Sequence, residues 1–566
     1  MKERYEIEKN ISVPFYLVLP KLHKEARKLG KTIFHVIDAV RAEWIRSLPS
    51  KKDVTHEWEV SREELITKCK ALKIELPRPN PKLVKLAKIY EITPEAWQYD
   101  RNFVLKYRLH LPIGGIHDPL LKPAYDLFFE LFGEYYKGKE HEIMKVLERY
   151  DLSIRPLNLS LSIATSEAIK NFLPEIDQKF VKDPFGVQRK EHLVLDEIGG
   201  KLVYLATRKK EHGTYLAILR TVAYCTAGCA KCYRGEQTRE LKHFKAIDKD
   251  GREEIVYFLP PVEQVRRLIK YWNEKDPNPP GDILFSGGEP MDVSVDEWVK
   301  IIKLLEKAKY LQFFRICTGD LFLGEPFRLT EKKFLEALER FHHNTGKTIK
   351  FPCHLPHPKF ITPEAIYAIL TLQKLGIGIE IQSQTPLEEG IMCFQKEIME
   401  KLKNKKNKTT DELINAWSSA LAKSYKLLRE LSIKISMLGY RPYKFIHDMQ
   451  QSVSIIYTTI LYSLLSEPHV GDTDAAIRPT SFAIFTPHLP NINVGFHTFQ
   501  YISHIKDAYK CDGRKVTYKL PHAVGAEATY QEPFWDGVND IDTIRKLSDI
   551  TVWQKLRKKV KELAKR

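Results

Sequence analysis

The chain of 566 residues is 43% hydrophobic and 29% charged, with a formal net charge of +17; this is the composition of an ordinary folded protein with material for two to four domains. Eight cysteines are too few for a disulfide scaffold and suit a reducing compartment. The basic charge could mark a nucleic-acid partner, but it is spread along the whole length with no RNA-recognition motif, so a thermophile-like surface rich in Lys and Glu is the favoured reading.

In chain order, Met1-Lys2-Glu3-Arg4-Tyr5-Glu6 lacks the apolar core of a secretion signal, which predicts a cytoplasmic protein. Residues 1–150 read as a helical region of unassigned role, with periodic apolar runs at Ile33 to Ile45, Leu65 to Leu76 and Tyr125 to Leu147. Residues 151–214 lead into a core over 215–445. Strand-like runs there are Tyr215–Ala223, Asp282–Phe285, Phe313–Cys317, Ile349–Cys353, Gly376–Ile381 and Ile433–Tyr440. Helix starts between them are legible at Ser294-Val295-Asp296-Glu297, Thr330-Glu331, Thr362-Pro363-Glu364 and Thr410-Asp411-Glu412, the last opening a helix to about Leu431. Strands alternating with helices predict an α/β fold, a parallel sheet curled as a partial (β/α)6 barrel with its chemistry on loops at the C-terminal strand ends. Residues 446–540 form a β-containing extension with runs at Phe482–Thr486, Val494–Phe499 and Lys515–Leu520; 541–566 read as a basic terminal helix. The run from Val453 to Leu465 is short and carries Ser, Tyr and Thr, so no membrane span is expected.

The chemistry concentrates in two motifs. Cys225, Cys229 and Cys232 are spaced to hold three irons of a [4Fe–4S] cluster and leave the fourth open, whereas electron-transfer clusters are usually closed by a fourth thiolate. A zinc site would want another ligand, and His243 is the nearest candidate; redox chemistry at a Cys-x2-Cys pair is a further alternative. The second motif, Gly281-Asp282-Ile283-Leu284-Phe285-Ser286-Gly287-Gly288-Glu289-Pro290, decides between them. Gly287 and Gly288 let a ligand approach the backbone, and Glu289 can accept a charge-assisted bond from an ammonium. The pairing resembles the signature of radical S-adenosylmethionine (SAM) enzymes. Cys225 and Ser286 both end their strands, which places the motifs on one rim.

From about Leu161 to Pro533 the chain resembles the lysine 2,3-aminomutase family of radical SAM enzymes. The resemblance rests on the cysteine spacing with Arg234 two residues on, Asp282–Pro290, Arg315-Ile316-Cys317-Thr318, and Cys353-His354-Leu355-Pro356-His357-Pro358. It continues through Gln382-Ser383, Arg441-Pro442-Tyr443 and Ala528-Thr529-Tyr530-Gln531-Glu532-Pro533. It implies that Cys225, Cys229 and Cys232 ligate the cluster and that Gly287, Gly288 and Glu289 cradle SAM. His354 and Gln382 would line the same pocket, and Arg234 would grip a substrate carboxylate. The implied reaction is reductive cleavage of SAM to a 5′-deoxyadenosyl radical that abstracts hydrogen from an amino-acid-like small molecule, with a 1,2-amino shift. An electron donor of the ferredoxin or flavodoxin type is implied as well, and a homo-oligomer is left open.

The resemblance breaks where the family binds pyridoxal phosphate (PLP). Its imine-forming lysine, in a Pro-(Gly)4-Lys segment, falls at about Ile492 in Pro487-His488-Leu489-Pro490-Asn491-Ile492, and no lysine occurs from Phe445 to Ile505. The phosphate-gripping arginines are replaced by Arg208-Lys209-Lys210-Glu211-His212, for which a charged turn is the favoured reading. The aspartates that recognise a lysine substrate align with Phe485 and, loosely, Asp448. Two expectations follow: an aminomutase-like enzyme whose PLP is held without a lysine or by one from elsewhere, or a PLP-independent radical enzyme acting on RNA or a peptide.

Overall fold

The computed structural model of the chain describes residues 15–90, 92, 188–208, 216–222, 242–323, 325–355, 358–384, 402, 405, 407–446, 455–466, 481–484, 492–493, 503–506, 508–512, 515–519, 527–531 and 541–565. They divide into two compact units. One takes in the described residues up to 353 with 361–379, the other 354–360 and those from 380 onward. Among the described residues, no helix is long and apolar enough to cross a membrane.

The first unit opens with helices α1 (Phe15–Lys28), α2 (Ile33–Ser47), α3 (Arg62–Ala71) and α4 (Pro81–Ile89). Two of the three apolar runs predicted as helical fall on α2 and α3; Tyr125 to Leu147 lies outside the described residues. Helix α3 starts at a reciprocal cap, the Ser61 hydroxyl accepting from Glu64 N and Glu64 Oε2 from Ser61 N (2.8 Å).

Next come β1 (Leu193–Ile198), β2 (Lys201–Thr207), β3 (Leu216–Arg220), β4 (His243–Ile247) and β5 (Glu253–Tyr257). Of these, only β3 is a predicted strand. The β1–β2 and β4–β5 pairs are antiparallel hairpins. Gly199 and Gly200, both at positive φ (58° and 74°), make the first turn, a conformation that suits the twist of a tight hairpin. In the second, Asp248 Oδ1 accepts from Asp250 N (2.9 Å) and Arg252 N (2.8 Å) ahead of Gly251 at φ 80°. Tyr204, Phe244, Ala246 and Val256 close the core of this wing.

The α/β alternation follows: α5 (Pro261–Glu274), β6 (Asp282–Ser286), α6 (Val295–Leu305), β7 (Phe313–Ile316), a helical turn at Asp320–Leu323, α7 (Lys332–Thr345), β8 (Thr348–His354), α8 (Pro363–Lys374) and β9 (Gly378–Gln384). Strands β3, β6, β7 and β8 pair in parallel in that order, and β2, β5 and β4 continue beyond β3. One face is apolar and covered by helices: Phe285 packs edge-on to Trp298 (5.1 Å) and Phe314 to Phe341 (5.0 Å). Ser294 and Thr362 cap α6 and α8 as predicted. Thr330 does not cap α7: Glu331 holds that position, and the Thr330 hydroxyl donates back to Phe327 O (3.0 Å) within the turn Pro326–Thr330.

In the second unit, α9 (Thr410–Met437) precedes β10 (Lys444–Ile446), α10 (Ile455–Ser466), β11 (Ser481–Ile484) and β12 (Ile492–Asn493). Strands β9, β10 and β11 pair in parallel and β12 antiparallel to β11. The sixth predicted strand, Ile433–Tyr440, is corrected here. Leu427, Leu428, Leu431, Ile435 and Leu438 are buried at helical spacing, so the helix runs on and the strand comes later. Gly439 at φ 95° then ends the helix, with Tyr440 N donating to Ile435 O (3.2 Å). Strands β13 (Tyr509–Asp512), β14 (Lys515–Lys519) and β15 (Glu527–Gln531) form a separate antiparallel sheet. The terminal basic segment is two helices, α11 (Ile541–Ser548) and α12 (Ile550–Lys565), and α12 packs along α9. The fold is thus α/β with mixed pairing, and in neither unit do the described strands close on themselves.

The N-terminal helices are fastened to α8. Glu364, fully buried, accepts from Arg41 Nε, and Lys374 Nζ meets Glu64 Oε1 (3.0 Å) and Glu59 O (2.7 Å). Trp44 packs edge-on to Phe327 (5.1 Å) and Tyr367 (5.5 Å). Burial beside Glu364 pushes the Cys69 thiol up to about 12, so this cysteine is an inert core residue. Removing one partner of a buried ion pair strands the other charge, at about 3–5 kcal/mol. Arg41→Met is therefore expected to lower the denaturant midpoint sharply, and Arg41→Met with Glu364→Met to recover more than half of that loss.

Candidate active site

The loop after β6 is built on a backbone-to-backbone contact. Gly287 has φ 114°, and a Cβ there would lie 2.8 Å from Arg220 Cα. Only glycine fits both the angle and the gap. Gly288 N donates to Val222 O (3.2 Å), three residues before Cys225 in the chain, so this loop is pinned to the strand end that leads into the cysteine motif. Arg220 is buried, its guanidinium over the rings of Phe258 (4.7 Å) and Phe244 (5.5 Å).

Glu289 is 2% exposed. Its Oε1 accepts from Thr318 Oγ1 (2.6 Å) and Met291 N (3.0 Å), and its Oε2 from Gly319 N (2.7 Å). Asp320 N donates in turn to Thr318 Oγ1 (2.9 Å). Three acceptor positions of the carboxylate are taken, which leaves room on Oε2 for one more donor. Asp292 and Asp320 are buried nearby at 3% and 1% exposure. Burial, then the neighbouring Asp320 and Asp292, hold the Glu289 carboxyl well above the usual carboxylate range, while the Thr318 and Gly319 donors act in the opposite direction. A ligand cation is the partner such a group of acids fits.

His354 and Gln382 belong to the second unit. Both are half-buried, at the end of β8 and within β9, and Leu355 N donates to Gln382 O (2.8 Å), which brings the two segments together. Cys225, Cys229, Cys232, Arg234 and His357 lie outside the described residues, as do Phe485 and Asp448. His243, the nearest extra zinc-ligand candidate, is exposed on β4 beside the Tyr257 ring (5.7 Å). Arg208 donates to Asp276 Oδ2 (2.5 Å) and Asn278 O (2.5 Å), the pairing of a structural turn; Lys209 to His212 are outside the described residues. Ile492 stands on β12 opposite Ile484. Its alkyl side chain offers no amine, so the position that the resemblance assigns to PLP attachment does not fit that group.

Sequence reading did not single out Thr318, Asp320, Asp292 or Arg220. Thr318 sits inside the matched Arg315–Thr318 run, but only the fold shows that its hydroxyl meets Glu289. Gly287→Ala is expected to cost about 2–3 kcal/mol in unfolding experiments from left-handed strain plus the clash with Arg220. Gly346→Ala, at φ 64° with nothing within 4 Å of its Cβ, should cost about 1 kcal/mol from strain alone.

No family model matches the chain. Two proteins of Aquifex aeolicus (strain VF5), each named "Putative L-lysine 2,3-aminomutase", are similar to parts of it. One is 32% identical over 137 residues, 24% of this chain and 36% of that protein; the other is 25% identical over 174 residues, 31% and 40% respectively. The matches therefore span well under half the length of these relatives. Over that portion, the chain is related to proteins that carry the aminomutase name.

Proposed function

We propose that the chain is a radical SAM enzyme of the lysine 2,3-aminomutase type, built on a partial (β/α)6 barrel and acting on a small molecule with a carboxylate. One observation carries this reading: a buried glutamate after a Gly-Gly pair, held by three donors on a loop that is bonded three residues ahead of the cysteine triad. The partial likeness to the named aminomutases supports it. Cys225, Cys229 and Cys232 would hold the cluster. When bound, cluster and SAM together supply one-electron cleavage of a sulfonium and a carbon radical that takes hydrogen from substrate.

The chain's own residues do the rest. Glu289 takes the methionyl ammonium, and Thr318 and Gly319 hold its carboxylate in the orientation the ammonium needs. Gly287 keeps the loop close to β3. The resemblance assigns His354 and Gln382 to SAM and Arg234 to the substrate carboxylate. A second reading, a PLP-independent enzyme acting on a peptide or RNA, is favoured by one observation: Ile492 replaces the imine-forming lysine.

Anaerobically reconstituted protein is expected to show the broad visible absorbance of an iron–sulfur cluster and, with dithionite and SAM, to release 5′-deoxyadenosine. Zinc in its place, or a cluster indifferent to SAM, would sink the proposal. Glu289→Ala should weaken SAM binding roughly 10- to 150-fold, the worth of a hydrogen bond to a charged group.

The pH dependence has a definite sign. With its carboxyl held above the ordinary range, Glu289 keeps a proton in the SAM-free protein where free carboxyls have lost theirs. Ammonium binding needs the ionised form, so affinity should rise with pH and each binding event should release protons, detectable by calorimetry in two buffers. Thr318→Val removes a donor that favours ionisation, and should move the affinity midpoint to higher pH.

A further inference from the structure

We propose that Lys444 is an imine-forming residue, its amine set beside Gln382 on adjoining parallel strands to take a small aldehyde or ketone. The register is defined: Lys444 pairs with Gln382 on β9 and with Ser481 on β11, and Tyr443 N donates to Ile381 O (3.0 Å) just ahead of it. Neighbours in register on parallel strands point to the same face, about 4.8 Å apart. Burial agrees. Gln382 is half-buried between the fully buried Ile381 and Ser383, and half-buried Lys444 is followed by fully buried Phe445. Lys444 and Gln382 therefore share the face opposite to the apolar one. Gln382 is near the C-terminal end of its strand, the end where α/β folds carry their chemistry.

Lys444 opens β10, in register with the inner part of β9, and its half-burial there removes water from around the amine. That loss of water holds the Lys444 amine below the ordinary lysine range, which raises its neutral, nucleophilic fraction. In the step proposed, the neutral amine adds to the carbonyl carbon and a C=N bond replaces C=O. The oxygen leaves as water with both amine protons. This proposal deepens the functional reading above and rests on it for the placing of Gln382 in the pocket. It supplies an amine in the sheet whose β12 carries Ile492.

The test uses PLP as the probe aldehyde. Full-length protein is mixed with less than one equivalent of PLP, borohydride adds hydride to any imine carbon, and the resulting secondary amines are located by peptide mass mapping. Lys444 should be labelled about tenfold faster than Lys333, an exposed lysine with 72% of its side chain accessible. In Lys444→Arg, its fold checked by circular dichroism, no other lysine should take up the lost label. Labelling of Lys444 no faster than Lys333, or undiminished fast labelling in the arginine variant, would overturn the assignment. Release of 5′-deoxyadenosine by the wild type is scored separately: its absence would strike the radical reading and leave the fate of Lys444 to the label.

Discussion

The candidate site depends on how one carboxylate is buried. Glu289 reaches from the loop after β6 to the loop after β7, where it meets the Thr318 hydroxyl and the Gly319 amide, and its own loop is closed by Met291 N. That arrangement requires the β6 loop to lie flat against the end of β3, which the missing Cβ of Gly287 permits. Two strand ends are thereby tied through one acid, and the third, that of β3, is joined to them by the bond from Gly288 N to Val222 O. An unpaired carboxyl at 2% exposure would be costly, and three donors offset only part of that cost. With Asp292 and Asp320 buried alongside, the remaining imbalance favours a proton or a cation. The imbalance is local to the Glu289 carboxyl and its two acidic neighbours.

The rest of the first unit packs around those strand ends. Trp298, fully buried against Phe285, donates from Nε1 to Pro290 O (3.2 Å), so the helix after the loop grips the loop itself. Arg328 donates to Met291 O from the far side. Further out, the Arg41–Glu364 pair and the Lys374 contacts make the N-terminal helices a brace on α8. A brace of this kind explains why a region without recognisable chemistry packs so closely against the core. The hairpin wing has a comparable part, because its Phe258 and Phe244 carry the guanidinium of Arg220, the residue whose backbone and Cβ–Cγ stem lie against Gly287.

Five of six core strands were legible because their apolar runs are short and bounded by turn residues or caps. The sixth was misread: Ile433, Ile435 and Met437 alternate like a strand, but Leu428, Leu431, Ile435 and Leu438 continue the helical spacing, and the longer period wins when the buried side is continuous. Both hairpins of the wing were missed despite a Gly199-Gly200 pair and an Asp250-Gly251 pair, the strongest short-range turn signals available. Three of their strands, β1, β4 and β5, are largely exposed or half-buried and lack the apolar density that marked the core, whereas β2 carries the apolar run Leu202–Ala206 and had that density. At the site, Glu289 and its glycines were readable as a motif, whereas the partners that orient it are distant in sequence. Thr318 lies 29 residues on, and nothing local marks its hydroxyl as a donor to that acid.

The parallel strands also show what kind of space their second face borders. Opposite the apolar residues of β6 and β7, Asp282 and Arg315 form a two-pronged ion pair, with a second bond from Nε to Oδ1 (3.2 Å). Lys350 sits in register with Arg315, and both cations lie near the Phe313 ring, at 5.5 and 5.9 Å. A sheet face meant only for packing would not carry two cations and an acid side by side, because each must be paired or hydrated. Part of the chain's positive charge is therefore not surface solvation: Arg315 is paired with Asp282 between neighbouring strands of the sheet.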